Sequence, residues 1–446
     1  MSRRNYHLVW VVTAYLFLYI FAAEVAAQDL TRNLSLDKAI SAALTNNQEI
    51  QLATLDERIA AANYKQTIAN LLPQMNLSYT AMSTNDPLNA FGFKLQQRSI
   101  SQDDFNPALL NHPSGTQDYM AKLEVQQPLI NIDMLYLRKG AEKQTEIYHY
   151  KTQRSREYLT FEVQKAYLQL QLNYDAIKVL EEALQTATAV YTYTDNHFKQ
   201  GLVQKSDLLN AQVHVSTVRN NLARSKNNIR NASDQLGLLM GEKPGLVFLT
   251  AESIKADFQN DLSKGNIASS RADFMVLQKT IEASELMIKS SQMSYLPKLN
   301  AFGNYQYNDS GLAGFGANAY FVGVKLSWDV FGGNRTKNVI KGQKLELEKL
   351  SVQLAQQKDK SQLELDKAYR DLSDTEFEIE QDIAIVEQAM ESLRILQNRY
   401  QQGLVSTTEV LMAETQLSQH RFLLAQAKFT SNVTRAYLQF LTTTTK

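Results

Sequence analysis

FKQGLV, at residues 198–203, recurs 202 positions further along the chain as YQQGLV at residues 400–405. The segments that follow, SDLL from Ser206 and TEVL from Thr408, keep the same offset. A glycine after helix-forming residues permits the left-handed conformation that ends a helix, and a hydroxyl residue followed by an acid suits the start of the next helix. Each stretch therefore predicts a turn between two helices, and the constant offset predicts that one unit occurs twice.

A second pair of matching segments lies nearer the N-terminus of each unit. LPQMN at residues 72–76 matches LPKLN at residues 296–300, with an offset of 224. The first unit therefore carries 22 additional residues, which we assign to a long loop at 85–116 because three prolines lie there. The predicted organisation is a first repeat at 28–246, a connecting segment at 247–266 and a second repeat at 267–446.

Long helices are predicted beside the two turns. Residues 129–243 and 298–446 contain no proline and are rich in Gln, Leu, Ala, Lys and Glu, so helices can continue unbroken. Their apolar residues step by three, four or seven positions, which is typical of a coiled-coil seam. The stepping residues are Val163, Tyr167, Leu170, Tyr174, Ile177, Leu184 and Tyr191, then Leu365, Tyr369, Leu372, Ile379, Ile383, Val386, Met390 and Leu393. We place the long helices at about 131–240 and about 336–441.

Four shorter segments alternate apolar and polar residues instead. They lie at about 75–82, 119–127, 299–308 and 319–328. Such segments predict strands with one apolar and one polar face, as a transmembrane barrel requires, and Lys122, Glu124 and Lys325 would face a wet lumen. Two half-buried hairpins on a soluble core are the alternative. The aromatic residues that favour the membrane interpretation are Tyr79, Tyr119, Tyr320 and Trp328.

Four strands are too few to close a barrel. About eight strands are the minimum, and open strand edges are not tolerated in lipid. The chain must therefore oligomerise if the strands cross a membrane. A dimer would supply eight strands and a trimer twelve, and the strand count alone does not choose between them.

The N-terminus has the features of a secretory signal peptide at residues 1–27. Arg3 and Arg4 precede an apolar stretch at residues 8–23, and small residues precede Gln28, so we place cleavage near Ala27. A retained membrane anchor is the alternative, although the apolar stretch is shorter than the ~20 residues that a spanning helix needs. No later segment approaches ~18 uninterrupted apolar residues.

Composition argues against several other classes of protein. Lys and Arg number 46 and Asp and Glu number 46, so no basic face for nucleic acid is expected. The absence of cysteine excludes disulfides, thiol nucleophiles and Cys-ligated metals, and the six histidines lack metal-clamp spacing. GLAGFG at residues 311–316 lies between two predicted strands, so we interpret it as a hairpin loop and not as a phosphate-binding loop. We predict no enzymatic activity, cofactor or metal.

The order of these elements resembles that of the TolC-like outer-membrane efflux proteins, the outer membrane factors, over residues 34–441. The resemblance implies a mainly α fold with a small transmembrane β part. In this fold a homotrimer shares a 12-stranded β-barrel in the outer-membrane lipid, continued by an α-helical coiled-coil tunnel in the periplasm. It also implies a passive channel of a tripartite efflux or type I secretion system. Its partners would be a periplasmic adaptor (membrane fusion protein) and, through the adaptor, an inner-membrane RND or ABC pump.

The resemblance also implies roles for individual residues. In that family the glycine-containing turns lie at the periplasmic tip of the tunnel, which contacts the adaptor. The corresponding residues are Gly201, Leu202, Val203, Gly403, Leu404 and Val405. Asp207, Tyr400 and Glu409 fall where polar residues of the gate lie, although Asp207 and Glu409 equally suit plain helix starts. Val405 stands where some relatives have a basic residue, and Met412 stands where a second acidic residue could lie. We therefore hypothesise a gate held by an Asp207–Tyr400 hydrogen bond rather than by an ion pair.

Two other functions remain as alternatives. A periplasmic coiled-coil scaffold or adhesin would share the heptads, but it would not need the duplicated amphipathic hairpins. An enzyme would need a catalytic pocket assembled from distant residues, because no local catalytic motif is present. The sequence therefore favours the export channel.

Overall fold

The computed structural model describes residues 30–250 and 265–443. The predicted signal peptide at 1–27 lies outside the described residues, as does most of the predicted connecting segment. The helices are α1 Leu36–Asn46, α2 Gln48–Gln66, α3 Pro87–Gln96, α4 Pro107–Asn111, α5 Ile132–Lys199, α6 Lys205–Leu239, α7 Ala272–Met293, α8 Arg335–Gln401 and α9 Thr407–Thr442. The strands are β1 Leu30–Leu34, β2 Gln74–Thr84, β3 Thr116–Ile130, β4 Leu246–Thr250, β5 Lys298–Asp309 and β6 Ala317–Ser327. Over residues 30–250 and 265–443, every helix is either too short or too polar to cross a lipid bilayer.

The chain divides into two compact units, and each unit takes segments from both predicted repeats. The sheet unit consists of residues 53–152 and 272–358. The described part of the helical unit consists of residues 30–52, 153–250, 265–271 and 359–443. The duplication in the sequence therefore does not correspond to two separate compact units.

The sheet unit contains an antiparallel sheet of four strands in the order β2-β3-β5-β6. Partners across an antiparallel pair share a face, so the register assigns every residue to one side of the sheet. One side is polar and carries Asn76, Ser78, Thr80, Lys122, Glu124, Asn300, Asn304, Gln306 and Lys325. The other side is apolar and carries Leu77, Tyr79, Leu123, Val125, Tyr305, Tyr320, Val322 and Val324.

The helical unit has a second, small sheet that the sequence did not predict. β1 and β4 pair in parallel, and Leu34 and Phe248 from these strands are buried in a core with Val163, Leu170 and Leu236. The Tyr167 hydroxyl donates to the Leu34 carbonyl at 3.1 Å. Residues 247–250, the first of the predicted connecting segment, form most of β4.

Of the fifteen heptad residues in the long helices, seven are buried, six are half-buried and two are exposed. Among the stepping residues, those that are buried are Val163, Tyr167, Leu170, Leu365, Leu372, Ile379 and Leu393. Ile383 and Met390 are exposed in the single chain. The periodicity therefore identified a stripe that is buried or half-buried at every position except these two.

The predicted long loop at 85–116 is the largest departure from expectation within the sheet unit. It contains α3, a 3-10 turn at Gln102–Phe105 and α4. Asp86 caps α3 by accepting from the Asn89 N–H at 3.0 Å, and Pro87 occupies the first helical position. Proline at this position favours a helix start, so two of the three prolines that suggested a loop, Pro87 and Pro107, mark helix starts instead.

Candidate functional site

Two tight turns join α5 to α6 and α8 to α9. Gly201 has a φ of 74° and Gly403 a φ of 72°, a region that glycine adopts without strain. In the first turn the Leu202 N–H donates to the His197 carbonyl at 2.9 Å, and the second turn repeats this bond. This pattern satisfies the last carbonyls of a helix, and it explains why glycine ends both long helices.

Carboxylates cap the N-termini of the helices that follow these turns. The Ser406 N–H donates to the Glu409 carboxylate at 2.7 Å, and the Gln204 N–H donates to the Asp207 carboxylate at 3.3 Å. The hydrogen bond from the Ser406 backbone, followed by the bond from its hydroxyl, lowers the pKa of Glu409. Both acids therefore stabilise helix N-termini, in agreement with their interpretation as helix-start residues.

The apolar side chains of the two turns have different surroundings. Leu202 is 65% exposed and Leu404 is 61% exposed. Val203 and Val405 are half-buried, and Val405 packs against the cluster behind the turns. The leucines are therefore the turn residues that offer an apolar surface to another molecule.

The tip cluster lies behind the turns and takes residues from all four long helices. Its buried members are Val190, Ala211, Leu393, Tyr400, Val410, Leu411 and Leu417. Tyr193 packs against it, with its ring centroid 4.6 Å from that of Tyr400 and its hydroxyl donating to the Tyr400 carbonyl at 3.1 Å. The two helix pairs are thus joined directly behind the turns.

The Tyr400 hydroxyl lies in a buried chain of hydroxyl groups. It is 2.8 Å from the Thr194 hydroxyl and 2.9 Å from the Thr407 hydroxyl. Because Thr194 donates to the Val190 carbonyl at 2.8 Å, it accepts from Tyr400, and Tyr400 accepts from Thr407. The hypothesised Asp207–Tyr400 hydrogen bond is therefore wrong within this chain. Asp207 caps its own helix instead.

The three charged residues predicted for the lumen all lie on the polar face of the sheet. Lys122 and Glu124 form an ion pair along β3. Their cross-strand partners on β5 are Gln306 and Asn304, which are uncharged and polar. Lys325 lies on the same face of β6, opposite Asn300. The alternating pattern thus placed these three residues together on one side.

One polar pair in the helical unit could not be predicted from the sequence. His214 on α6 lies 2.9 Å from the Glu414 carboxylate on α9, and Ser418 donates to the same carboxylate at 2.6 Å. Glu414 is buried, so these bonds offset the cost of removing it from water. No local signal could have revealed a pair separated by 200 positions. Over residues 30–250 and 265–443, no three potential metal ligands come together.

Comparison with known proteins assigns this arrangement to a family. The model of the outer membrane efflux protein family matches residues 39–242 and 265–443. The chain belongs to the outer membrane efflux protein family. It is 22% identical to the probable outer membrane lipoprotein SilC of Salmonella typhimurium, over 86% of this chain and 81% of that protein. It is also 22% identical to the cation efflux system protein CusC of Escherichia coli K12, over 88% and 83%.

Solved structures of outer-membrane channels share the fold. A crystal structure of CusC superposes with a TM-score of 0.78 over 93% of each chain, at 18% identity. Because it belongs to the family, this outer membrane efflux protein is an outer-membrane channel of tripartite export systems. Members of its family are transporters rather than enzymes and work with adaptor and pump partners. The predictions of a mainly helical fold with a β part, of an export function and of an outer-membrane location are confirmed.

Proposed function

We propose that three copies of the chain form the channel, each giving four strands to a closed 12-stranded barrel. The observation that carries this proposal is the two-faced sheet. β2 and β6 are its edges, and neither has a second neighbouring strand within residues 30–250 and 265–443. Unpaired edges are not tolerated in lipid, so β6 of one copy pairs with β2 of the next. The apolar face then meets the lipid and the polar face lines the lumen.

The native mass of the detergent-extracted protein tests the trimer. We expect outer-membrane fractions to yield a species with the mass of three chains, because closure requires more than one copy and the family resemblance implies three. Light scattering with a correction for bound detergent measures this mass, and the denatured chain provides the single-chain reference. A single-chain mass, or recovery only from the soluble periplasm, would contradict the proposal and favour the scaffold.

The two turns are the proposed contact site for the periplasmic adaptor. Gly201, Leu202 and Val203 form one patch, and Gly403, Leu404 and Val405 form its duplicate. The exposure of both leucines supports this role, because apolar side chains anchored on rigid turns suit a protein interface. An inner-membrane RND or ABC pump would join the channel through the adaptor.

Replacing both turn leucines with aspartate should abolish adaptor binding. A charge at Leu202 and Leu404 prevents desolvation of the patch, and we expect at least about a 100-fold loss of affinity if each contributes ~1.5 kcal/mol or more. Pull-down of the adaptor with the purified channel and an export assay measure the effect. The matched control is methionine at both positions, which conserves apolar volume. Unchanged binding by the aspartate variant would place the contact elsewhere.

The gate candidates receive different roles in this proposal. Asp207 and Glu409 set the helix starts, whereas Tyr400 holds α8 to α5 through the hydroxyl chain. We propose that the closed state depends on the packing of Tyr400 in the tip cluster rather than on the two acids.

A further inference from the structure

The connection between β2 and β3 is much longer than the connection between β5 and β6. Residues 85–115 form the first connection, and residues 310–316 form the second. The long connection has its own internal structure. Lys94 donates to the Asp104 carboxylate at 2.5 Å, and this bond, followed by the bond from the Ser101 N–H, lowers the pKa of Asp104 to about 2. The long connection accounts for the additional residues of the first repeat.

This connection covers the polar face at one end of the sheet. Asp118, Asn308 and Ala317 belong to the polar face by register, and their exposed fractions are only 0%, 1% and 1%. Ala319, two positions further along β6 on the same face, is exposed. The covering element is α3, which contacts β3 and β6 and buries its own Ala90. α3 therefore lies across the polar face and not beside the sheet.

Amide side chains hold the C-terminal end of α3 against the strands. Gln97, directly after α3, donates to the Asp118 carboxylate at 3.0 Å and to the Gln117 carbonyl at 2.7 Å. The second Asp118 oxygen accepts from Asn308 at 2.9 Å. A buried carboxylate needs hydrogen-bond donors. If Gln97 moves away, water must therefore replace it at the Asp118 carboxylate.

A second anchor reaches β6. Arg98 donates to the Asn318 backbone carbonyl at 2.9 Å. Gln97 and Arg98 are adjacent, so the same end of α3 is tied to β3 and to β6. Gln96, the last residue of α3, also accepts a longer bond from Asn308 at 3.4 Å. The shorter bonds that fix the cover come from two neighbouring residues, and their removal can be tested without changing any strand residue.

We propose that residues 85–115 form an exit lid that narrows the external mouth of the channel and limits the size of solutes that pass there. The lid lies at the strand ends opposite the end where β3 leads into α5. In the proposed channel the barrel end that leads into the helices is periplasmic, so the lid lies on the external side. The inference rests on the proposed function in two respects, that the polar face lines the lumen and that the barrel end leading into the helices is periplasmic. In a trimer, three lids would surround the exit.

Labelling of a luminal cysteine from outside intact cells tests the lid. The chain has no cysteine, so Asn304→Cys on the polar face is the sole thiol. Cells are treated with a small membrane-impermeant maleimide and with maleimide-polyethylene glycols of increasing mass. With Gln97→Ala and Arg98→Ala added, we expect the larger reagents to label about tenfold faster, the change that follows from losing one to two net hydrogen bonds.

Two further variants complete the experiment. Gln102→Ala alters an exposed residue of the same connection and should leave the size limit unchanged. Replacing residues 87–114 with an Asn-Gly turn removes the lid and should raise the limit even if the double variant folds poorly. If the size limit for labelling were unchanged in both the double variant and the shortened variant, the lid proposal would be overturned. If the smallest reagent failed to label Asn304→Cys in every background, the luminal assignment of the polar face would fail instead.

Discussion

Replacing Gly241 with alanine is expected to destabilise the helical unit by roughly 3 kcal/mol or more. Gly241 follows α6 with a φ of 72°, a conformation that costs an L-residue about 1–2 kcal/mol. A Cβ at this position would also lie 2.6 Å from the Asn46 carbonyl oxygen, at the end of α1. That oxygen belongs to the backbone and cannot rotate away. The Asn47 side chain, which donates to the Leu239 carbonyl at 2.9 Å, holds the two helix ends together.

The chain offers a matched control for this prediction. Gly201 has nearly the same φ, but a Cβ there meets no atom within 4 Å. Gly201→Ala should therefore cost only the conformational term of about 1–2 kcal/mol. Thermal unfolding of the purified protein, scanned at one rate because membrane-protein unfolding is irreversible, compares the two variants. Equal losses of Tm would show that the α1 and α6 ends separate freely.

Replacing Tyr400 with alanine is expected to loosen the turns and to raise the resting conductance of the channel. The side chain is buried in the tip cluster, and removing a buried aromatic ring typically costs about 3–5 kcal/mol. The change also removes the central hydroxyl of the chain that runs from Thr407 to Thr194. Single-channel recording in planar bilayers measures the resting current, and thermal unfolding measures the loss of stability.

Two milder variants separate the packing of Tyr400 from its hydrogen bonds and from the acids. Tyr400→Phe keeps the ring but leaves the buried Thr407 hydroxyl without its acceptor, at a cost of about 1–3 kcal/mol, whereas Thr194 keeps its bond to the Val190 carbonyl. Asp207→Ala removes only a helix cap, at about 1 kcal/mol. We expect resting currents in the order Tyr400→Ala, Tyr400→Phe, then Asp207→Ala at the level of the unmodified channel. A larger current for Asp207→Ala than for Tyr400→Ala would show that the acids, and not the packing of Tyr400, keep the channel closed.

Local patterns were sufficient to predict the strands and turns of the duplicated unit. The two glycines end α5 and α8 because a positive φ after a helix depends on the residue at that position alone. The strands were found because alternation is visible within ten residues, and the register then places Lys122, Glu124 and Lys325 on one face. The family match agrees with this order of elements.

Features that depend on distant residues were missed. β1 and β4 are five residues each and pair in parallel across more than 200 positions, so neither carries a periodic signal of its own. The helix α3 lies in a segment whose prolines suggested a loop. Its proline begins a helix, and the buried Asp118 that anchors this helix end belongs to another element.

By itself, the sequence determined where helices end, where strands alternate and that the unit is duplicated. These properties depend on conformational preferences and spacing over a few residues. Only the tertiary structure decided that Tyr400 bonds to Thr194 and Thr407, that Asp207 caps its own helix, and that α3 covers the polar face of the sheet. Each of these contacts joins side chains whose positions are set by separate elements, or selects one of several available partners. Such choices depend on packing and burial, which arise only when the chain has folded.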